Sequence, residues 1–421
     1  MRDVDVFSSG RLAGRLHRSD VEEDTILFAY GSNCRAEDAV SLTMPVVADQ
    51  YDSMGTVHPI FEMNLPEGVL FEKLRLMFAK VVPEFDDLTL LSIVGRSQIG
   101  RLRYAAPGAT PAEVPQQNID ELLSYSGAHD LFSDLLERYA AHSGISGMQP
   151  KVLLRATEVP ERVTTRGATH IVKSFDPRER PELAANEYYC MRAAHLAGIP
   201  TARVMLSANR RILVVERFDL TSDGMYLGLE DFCVLNGLRS HGRYEGSYEL
   251  VAKRIGQFAT PGQRRESLQE FFRMVTLSCA VENGDAHLKN FSMIYENPEG
   301  TVRLAPAYDV VSTTAYQPRD VLALTLNESK SFPDRETLVS FGRTACGLAP
   351  RDITVAIEAV SRGVTAAIAE IGEARRESKD FAAAGEKLET IFERGLRRLA
   401  PLISKKTRAG VHGAGPRRGQ R

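Results

Sequence analysis

Cysteine is scarce and scattered in this 421-residue chain. The five cysteines are odd in number and form no C-x-x-C pair: Cys34, Cys190, Cys233, Cys279 and Cys346. This pattern argues against a disulfide framework and against a zinc module, and it predicts a reducing, cytoplasmic location.

Long apolar runs and a basic leader are also lacking. No stretch approaches the ~18 uncharged apolar residues of a membrane span, and Asp3 and Asp5 stand where a signal peptide needs bases. We therefore expect neither export nor a membrane partner. The composition, 43% hydrophobic and 25% charged with 32 Gly and 20 Pro, is that of a globular protein with two or three domains.

Charge is unevenly distributed. The segment from Lys405 to Arg421 carries six Lys or Arg and no acid, whereas the whole chain has a net charge of −3, so the remaining body is acidic. An acidic body gains nothing from releasing counterions on a phosphate backbone, so direct binding of nucleic acid would have to use the tail or a local patch. The basic tail, 404–421, has the composition of a solvated, disordered end.

The chain divides at changes in composition. Pro and Gly at 107, 108, 111 and 115 indicate a linker after a strand-rich N-terminal subdomain, in which no catalytic constellation is visible. The strands predicted there are Val4–Phe7, Thr25–Tyr30 and Leu88–Val94. The predicted order is an N-terminal subdomain (1–105), a linker and helix (106–142), a nucleotide-binding N-lobe (143–229), a helical C-lobe (230–403) and the tail.

The middle of the chain alternates strands and helices. Strands are predicted at Val152–Leu154 and Thr169–Phe175, then a helix from Pro181 through Leu196, then a strand pair at Ile212–Phe218 and Met225–Leu229. Beyond Glu230 two apolar helical stripes follow, one through Phe271 and one through Phe392. A β-rich half followed by an α-rich half predicts a two-lobed α+β fold with a cleft between the lobes.

The densest polar constellation is Asn283-Gly-Asp-Ala-His-Leu-Lys-Asn290, followed by a second acid, Asp309. Two acids and an Asn in this order are typical of phosphoryl transfer in a protein-kinase-like fold. Taken singly, Asp285 and Asn290 could be a helix cap and a turn residue. His287 could bind a metal, but without a His or Cys cluster around it a hydrogen-bonded structural role is favoured.

Upstream residues strengthen the kinase interpretation. Lys173 lies in a predicted strand and Glu187 in the next helix, the arrangement that directs an ammonium at nucleotide phosphates. The alternatives are an edge lysine and a solvated helix face. The glycine-bearing loop from Gly144 to Lys151 matches neither common phosphate-binding pattern, and by itself it indicates only a turn; its position before the first strand of the N-lobe is what suggests a phosphate cradle.

These strings resemble the HipA-type serine/threonine-protein kinase toxins of bacterial type II toxin–antitoxin modules. The resemblance spans about residues 1–400. It rests on the segments 144–151, 186–191, 216–219, 283–290 and 307–313, and in the N-terminal subdomain on 9–14 and 64–68.

The resemblance implies a protein-kinase-like, phosphoinositide-kinase-like fold that uses ATP and Mg²⁺. It assigns Asp285 as catalytic base, Lys289 as a second catalytic residue, and Asn290 and Asp309 as metal ligands. The implied nucleotide contacts are Ser146, Gly147, Met148, Gln149, Pro150, Lys151, Lys173, Glu187, Glu216, Arg217, Phe218, His287, Asn290 and Tyr308.

The resemblance also implies regulation and partners. Family members commonly inactivate themselves by phosphorylating a serine of the glycine loop. Here Gly144 stands at the first usual position, so Ser146 is the predicted site, Ser143 is a second candidate, and a simple hydrogen-bonding role for Ser146 is the alternative. The implied partners are a helix-turn-helix antitoxin of the HipB type and a protein substrate such as an aminoacyl-tRNA synthetase.

Two other functions fit parts of the pattern. A small-molecule kinase of the aminoglycoside or choline type would use the same acids and Asn, but it gives no reason for the glycine loop or the N-terminal subdomain. A catalytically silent kinase-like protein that bridges an antitoxin to DNA is the non-enzymatic alternative.

Overall fold

The structure is a computed structural model. It describes residues 3–21, 25–78, 85–109, 116–124, 131–146, 151–156, 168–174 and 180–401. The basic tail and residues Gly147, Met148, Gln149 and Pro150 of the glycine loop therefore lie outside the described residues.

The N-terminal subdomain is a five-stranded antiparallel sheet packed against helices. The sheet order is β4-β3-β2-β1-β5. Its strands are β1 (Asp3–Ser8), β2 (Arg11–Arg18), β3 (Thr25–Tyr30), β4 (Tyr51–Met54) and β5 (Leu102–Ala105), and its helices are α1 (Pro59–Glu62), α2 (Gly68–Phe78) and α3 (Asp87–Val94). The tight β1–β2 turn places Ser9 and Gly10 at positive φ, which Gly10 adopts without strain.

The strand predicted at Leu88–Val94 is wrong: this segment is the helix α3. The Asp86 side chain accepts a hydrogen bond from the Thr89 amide at 2.8 Å and caps the helix. Almost every side chain of α3 is buried. A short apolar run that is buried on all sides has no periodicity to separate helix from strand.

The N-lobe is a second five-stranded sheet with a long helix beside it. The order is β6-β7-β8-β10-β9. Its elements are β6 (Gln116–Gln117), α4 (Ile119–Ser124), α5 (Leu131–Tyr139), β7 (Lys151–Ala156), β8 (His170–Ser174), α6 (Leu183–Leu196), β9 (Val204–Leu206) and β10 (Ile212–Glu216). The predicted strands and helix of this region are confirmed, and α6 begins at Leu183 because Glu182 has a left-handed backbone, φ +57°.

The strand pair predicted at Ile212–Phe218 and Met225–Leu229 is wrong in its second member. That strand, β11, runs from Gly228 to Asp231 and pairs with β12 (Ser292–Tyr295), which pairs with β13 (Val302–Leu304). β10 lies instead between β8 and β9. The partner of β11 comes much later in the chain, and local pattern carries no information about such pairing.

The rest of the C-lobe is helical, as predicted. Its helices are α7 (Tyr248–Phe258), α8 (Pro261–Ala280), α9 (Arg335–Thr344), α10 (Pro350–Glu377) and α11 (Ala382–Leu399), and short 3₁₀ helices precede α7 and lie between α8 and α9. Phe271 and Phe272 on α8 and Phe392 on α11 are fully buried. Among the described residues, no helix is both long and apolar enough to cross a membrane.

Among the described residues, two large apolar cores hold the molecule together, beside a small third cluster of Leu229, Ile294 and Ala305. One joins α6 to the helices of the C-lobe. The other is shared: Val6 and Tyr104 of the N-terminal subdomain belong to the same core as Val152 and Val172 of the N-lobe sheet. The N-terminal subdomain is therefore packed onto the N-lobe, next to the cleft.

Candidate active site

A cavity of about 440 Å³ opens between the N-lobe sheet and the loops of the C-lobe. Its walls include β8, β10 and α6 of the N-lobe, the segments 284–292 and 308–320 of the C-lobe, and Met63 and Asn64 of the N-terminal subdomain. A volume of this size is in the range of small-molecule and nucleotide sites.

A buried ion cluster lies on the N-lobe wall. Lys173 of β8 places its Nζ 2.5 Å from Oε1 of Glu187 on α6 and 2.6 Å from Oδ1 of Asp309. Lys173 is 5% exposed and Glu187 1% exposed, and β8 lies inside its sheet. The edge-lysine and solvated-face alternatives are therefore wrong, because both residues are buried and paired.

The cluster sets the protonation of its members. Burial alone would raise the pKa of Asp309, but Lys173 and Lys151 outweigh it and hold that pKa below its ordinary value. Burial raises the pKa of Glu187 despite its pairing with Lys173. The pKa of Lys173 is raised because its two carboxylate partners outweigh its desolvation. Asp309 therefore carries a negative charge and Lys173 a positive one at neutral pH.

Asn290 lies against Asp309 in a way that suits a hard cation. Asn290 Nδ2 donates to the Asp309 carbonyl at 3.3 Å, while its Oδ1 is buried and has no hydrogen-bond partner among the described residues. Asp309 itself has a left-handed backbone, φ +57°, a strained conformation of the kind found at ligand sites. The orphaned amide oxygen of Asn290 and the carboxylate of the neighbouring Asp309 are oxygen donors of the kind that Mg²⁺ takes, and Mg²⁺ needs few protein ligands.

A metal site built from His, Cys, Asp and Glu side chains is not supported in the described residues. In the described part of the chain, no group of three or more His, Cys, Asp and Glu is arranged to hold a metal ion. Burial lowers the pKa of His287, so its imidazole is neutral. Its Nδ1 is buried without a hydrogen-bond partner among the described residues, and its Nε2 lies 4.0 Å from Asp285 Oδ1, beyond hydrogen-bond distance, so the hydrogen-bonded structural role stays a prediction.

The backbone of the loop that carries Asp285 is held in place by hydrogen bonds to two side chains. The Asp285 amide donates to Asn283 Oδ1 at 2.9 Å, and the Gly284 amide donates to Thr313 Oγ1 at 2.8 Å. A Cβ on Gly284 would come within 2.2 Å of Asp320 Oδ2, so only glycine fits. The Asp285 side chain is 45% exposed and lines the cavity.

Lys289 also lines the cavity, but its ammonium is tied to other parts of the protein. Its Nζ donates to the Met63 carbonyl at 2.9 Å and to Ser240 Oγ at 3.1 Å, and lies 3.5 Å from Asp231 Oδ2. The lysine therefore connects the Asp285 loop to the N-terminal subdomain.

The predicted adenine-binding segment ends β10. Glu216 and Phe218 line the cavity. The Arg217 side chain points into the protein, where it pairs with Asp219 at 2.6 Å and donates to the carbonyls of Ala168 and Gln98. Arg217 can thus meet a ligand only through its backbone.

Tyr308 lines the cavity and packs against Phe218 at the end of this segment. Its ring centroid lies 5.7 Å from that of Phe218, and its hydroxyl donates to the Lys289 carbonyl at 2.8 Å. The tyrosine joins the adenine-side wall to the loop that carries the predicted catalytic residues.

The described ends of the glycine loop show how it is anchored. Ser146 Oγ donates to Glu67 Oε1 at 2.7 Å, and Lys151 Nζ donates to the Ser146 carbonyl at 3.3 Å. Ser143 is fully buried, donates to the Tyr139 carbonyl and accepts from the Leu153 amide. Of the two candidate serines, Ser146 is the one that reaches the cavity.

Sequence reasoning missed the contribution of the N-terminal subdomain. Met63, Asn64 and Glu67 lie on or against the cavity, as do Arg243 and Tyr244 of a short 3₁₀ helix in the C-lobe. None of them belongs to a recognisable catalytic pattern. The only signal was the resemblance at 64–68, which includes the glutamate that binds Ser146.

Comparisons with known proteins agree with this architecture. The HipA N-terminal domain family matches residues 4–105, and the HipA-like C-terminal domain family matches residues 143–368. "Putative kinase Y4mE" of Sinorhizobium fredii is 30% identical in an alignment of 346 positions that covers 75% of this chain and 78% of that protein. "Putative kinase Y4dM" of the same organism is 28% identical in an alignment of 180 positions that covers 39% of this chain and 42% of that protein.

A solved structure shares the fold. HipA from the Shewanella oneidensis MR-1 complex of HipA, HipB and operator DNA superimposes with a TM-score of 0.64 at 20% identity, covering 94% of this chain and 98% of that one. The fold is accordingly α+β, two-lobed and kinase-like. Because the C-terminal domain match alone covers more than half of the chain and the N-terminal domain match adds a further 102 residues, this protein belongs to the HipA family.

Proposed function

We propose that this protein is an ATP- and Mg²⁺-dependent protein serine/threonine kinase and the toxin of a type II toxin–antitoxin module. One observation carries the proposal: the buried cluster of Lys173, Glu187 and Asp309 and the half-exposed carboxylate of Asp285 line a single cavity. Phosphoryl transfer requires a cation for the phosphates, an acid for a metal and an acid for the acceptor hydroxyl. Lys173, Asp309 and Asp285 would supply them in that order.

Each residue then has a definite task. Lys173, held in place by Glu187, binds the ATP phosphates, and Asp285 orients the acceptor hydroxyl and takes its proton. The hydroxyl oxygen attacks the γ-phosphorus, the bond from that phosphorus to the β,γ-bridging oxygen breaks, and ADP leaves with the electron pair. Catalysis is then mainly positioning and charge stabilisation.

Asn290 Oδ1 and the Asp309 carboxylate would hold Mg²⁺. The orphaned amide oxygen and the charged carboxylate support this assignment. When bound, the cation neutralises charge on the β- and γ-phosphate oxygens. Lys289 would add positive charge near the transferred group, from the position that Met63 and Ser240 give it.

Ser146 is the proposed autophosphorylation site. Its hydroxyl lies 2.7 Å from a carboxylate oxygen of Glu67, so a phosphate added there would face a like charge and push the glycine loop away from the site. The alternative, that Ser146 serves only as a hydrogen-bond donor, is also consistent with this contact.

The family relationship and the Shewanella complex support a helix-turn-helix antitoxin of the HipB type as partner, with DNA reached only through it. A protein involved in translation, such as an aminoacyl-tRNA synthetase, is the proposed substrate.

Phosphate transfer from labelled ATP with Mg²⁺ tests the enzymatic proposal. We expect wild type to gain phosphate on Ser146, by intact mass and peptide mapping, and to label protein acceptors. Asp285→Asn should abolish transfer while ATP still binds, and Lys173→Met should weaken ATP binding itself. Asp352→Asn, on the surface end of α10, is the matched control and should behave as wild type.

Other outcomes point to other functions. Label on aminoglycosides or choline but on no protein would indicate a small-molecule kinase. ATP binding without any transfer would indicate the silent bridging protein. Expression in a bacterial host tests the toxin assignment: wild type should arrest growth, Asp285→Asn should not, and co-expression of the cognate helix-turn-helix protein should relieve the arrest.

A further inference from the structure

Tyr244 makes direct contact with the predicted catalytic acid. Its hydroxyl donates to Asp285 Oδ1 at 2.7 Å. Its ring packs edge-on against His287, with centroids 5.1 Å apart and planes at 79°. Among the described residues, no other side chain hydrogen-bonds to the Asp285 carboxylate. Tyr244 therefore makes the one side-chain hydrogen bond to this carboxylate in the described part of the chain.

The tyrosine sits on a backbone segment that the N-terminal subdomain holds in place. It ends the 3₁₀ helix from Ser240 to Tyr244. The Ser240 amide donates to Glu62 Oε1 at 3.3 Å, and Arg243 Nη1 donates to Glu67 Oε2 at 3.0 Å. Two carboxylates of one subdomain thus brace the two ends of this helix.

Glu67 is suited to that task because it is charged and largely buried. Burial would raise its pKa, but the hydrogen bond from Ser146 and the charge of Arg243 hold the pKa below its ordinary value. The Glu67 and Arg243 side chains are only 22% and 19% exposed, so their pairing is screened less than that of a surface ion pair.

We propose that Tyr244 is a positioning residue for phosphate transfer and that Glu67, through Arg243, fixes where Tyr244 stands. By holding Oδ1, the phenol presents the second oxygen of Asp285 to the acceptor hydroxyl in one orientation. A carboxylate without this bond turns about its last torsion and spends less time aligned. This inference rests on the proposed kinase function.

The first test is Tyr244→Phe, which removes only the hydroxyl. With dephosphorylated casein as acceptor, kcat should fall roughly 10-fold, the effect of one charge-assisted hydrogen bond lost in the transition state, while KM for ATP stays within about twofold. Tyr51→Phe, which removes a hydroxyl donated to the Pro45 carbonyl in the N-terminal subdomain, is the control and should leave both constants unchanged. An unchanged kcat in Tyr244→Phe would overturn the inference.

The brace is tested by a double-mutant cycle. Glu67→Gln should lower kcat less than Tyr244→Phe does, and the double variant should be no slower than Tyr244→Phe alone, because both changes act on one contact. Glu72→Gln on the exposed face of α2, also in an ion pair, is the matched control. Strictly additive losses in kcat would overturn the role of Glu67.

Hydrogen exchange gives a readout that does not depend on catalysis. Amides around Asp285 should exchange faster in Tyr244→Phe than in wild type, with no change in α10 or α11. If wild type transfers phosphate to nothing, the proposed function fails, yet exchange still decides whether Tyr244 holds the loop. If wild type is active and both readouts are unchanged in the variant, only the positioning inference fails.

Discussion

Glu282 immediately precedes the Asn283-Gly-Asp285 segment, and its side chain is bound from three directions. It is 2% exposed and accepts hydrogen bonds from Thr314, Arg394 and Arg398, each with a contact of 2.7 Å. Its backbone is left-handed, φ +52°. The carboxylate therefore ties the start of the Asp285 loop to α11 and to the loop after Asp309, and it holds a strained turn in place.

The pH dependence of stability should report this contact. Burial alone would raise the pKa of Glu282, but hydrogen bonds from Arg394, Thr314 and Arg398 lower it to about 2. A depressed folded-state pKa means that the stabilisation is complete above about pH 4.5, the usual glutamate range, and is lost as the pH falls toward 2. Because Arg394 is 45% exposed, solvent screening limits the effect to roughly 2 kcal/mol.

Urea unfolding of wild type and Glu282→Gln from pH 7 to pH 3 checks this. The difference in unfolding free energy should be about 2 kcal/mol at pH 7 and should shrink steadily below pH 4.5. Glu393 forms an exposed ion pair with Arg397 on α11. The Glu393→Gln variant should therefore differ from wild type only slightly in unfolding free energy, and by nearly the same amount at every pH. A Glu282→Gln difference that does not depend on pH would contradict the assignment.

At the scale of elements, two helix crossings depend on glycine, one within the C-lobe and one between α10 and α6 of the N-lobe. A Cβ on Gly395 of α11 would lie 1.8 Å from the Ala280 carbonyl oxygen at the end of α8, and one on Gly363 of α10 would lie 2.4 Å from the Ala197 amide just after α6. These helices approach backbone to backbone, and the approach sets the platform from which the Asp285 loop departs.

Gly395→Ala is therefore expected to destabilise the fold by roughly 3 kcal/mol, because backbone on both sides prevents simple relief of the clash. Gly256→Ala is the matched control. Gly256 lies within α7, and a Cβ added there would have no neighbouring group within 4 Å, so alanine should stabilise by about 0.5–1 kcal/mol through its better helix propensity. Thermal unfolding measures the change in stability of both variants. If both variants changed stability by the same amount in the same direction, the close approach of α11 and α8 at Gly395 would not explain the result.

The elements also show where local pattern failed. The α8 and α11 stripes were predictable because an amphipathic helix repeats its apolar face every three to four residues. Leu88–Val94 carried no such repeat, since α3 is buried almost all round. β11 was misplaced for a different reason: its partner β12 is distant in sequence, and only the folded chain defines which residues align.

At the scale of the whole molecule, the N-terminal subdomain is joined to the kinase body by a buried carboxylate. Glu230 of β11 is fully buried and accepts hydrogen bonds from Ser41 Oγ at 2.6 Å, the Leu42 amide at 2.8 Å and the Tyr295 hydroxyl. Two of these donors belong to the N-terminal subdomain, so Glu230 links that subdomain to the three-stranded sheet of β11, β12 and β13.

Glu230→Ala should lower the unfolding free energy by roughly 3 kcal/mol, because it removes the shared acceptor of three donors, of which the Leu42 amide and the buried Tyr295 hydroxyl have no other hydrogen-bond partner among the described residues. Since the N-terminal subdomain and the N-lobe share one core, the loss should appear as a shift of one calorimetric transition, not as the early melting of a separate unit. Glu266→Ala, at an exposed position of α8, is the control. A separate low-temperature transition in the variant would show that the two parts are held together mainly by this one residue.

The sequence by itself determined the class of fold, the helical stripes, most N-lobe strands and the polar residues of the proposed chemistry. These properties are local: periodicity marks a buried face, and a short loop carries Asp285, Lys289 and Asn290 within six residues. The family resemblance added the nucleotide-site assignments, which stay predictions until binding and transfer are measured.

Tertiary structure alone decided which residues meet. It brought Lys173, Glu187 and Asp309 within ion-pair distance, turned Arg217 away from the cavity, and placed Glu67 and Tyr244 against Ser146 and Asp285. Contacts between residues that are distant in sequence depend on how sheets and helices pack, and packing is a property of the whole chain that no local window of sequence contains.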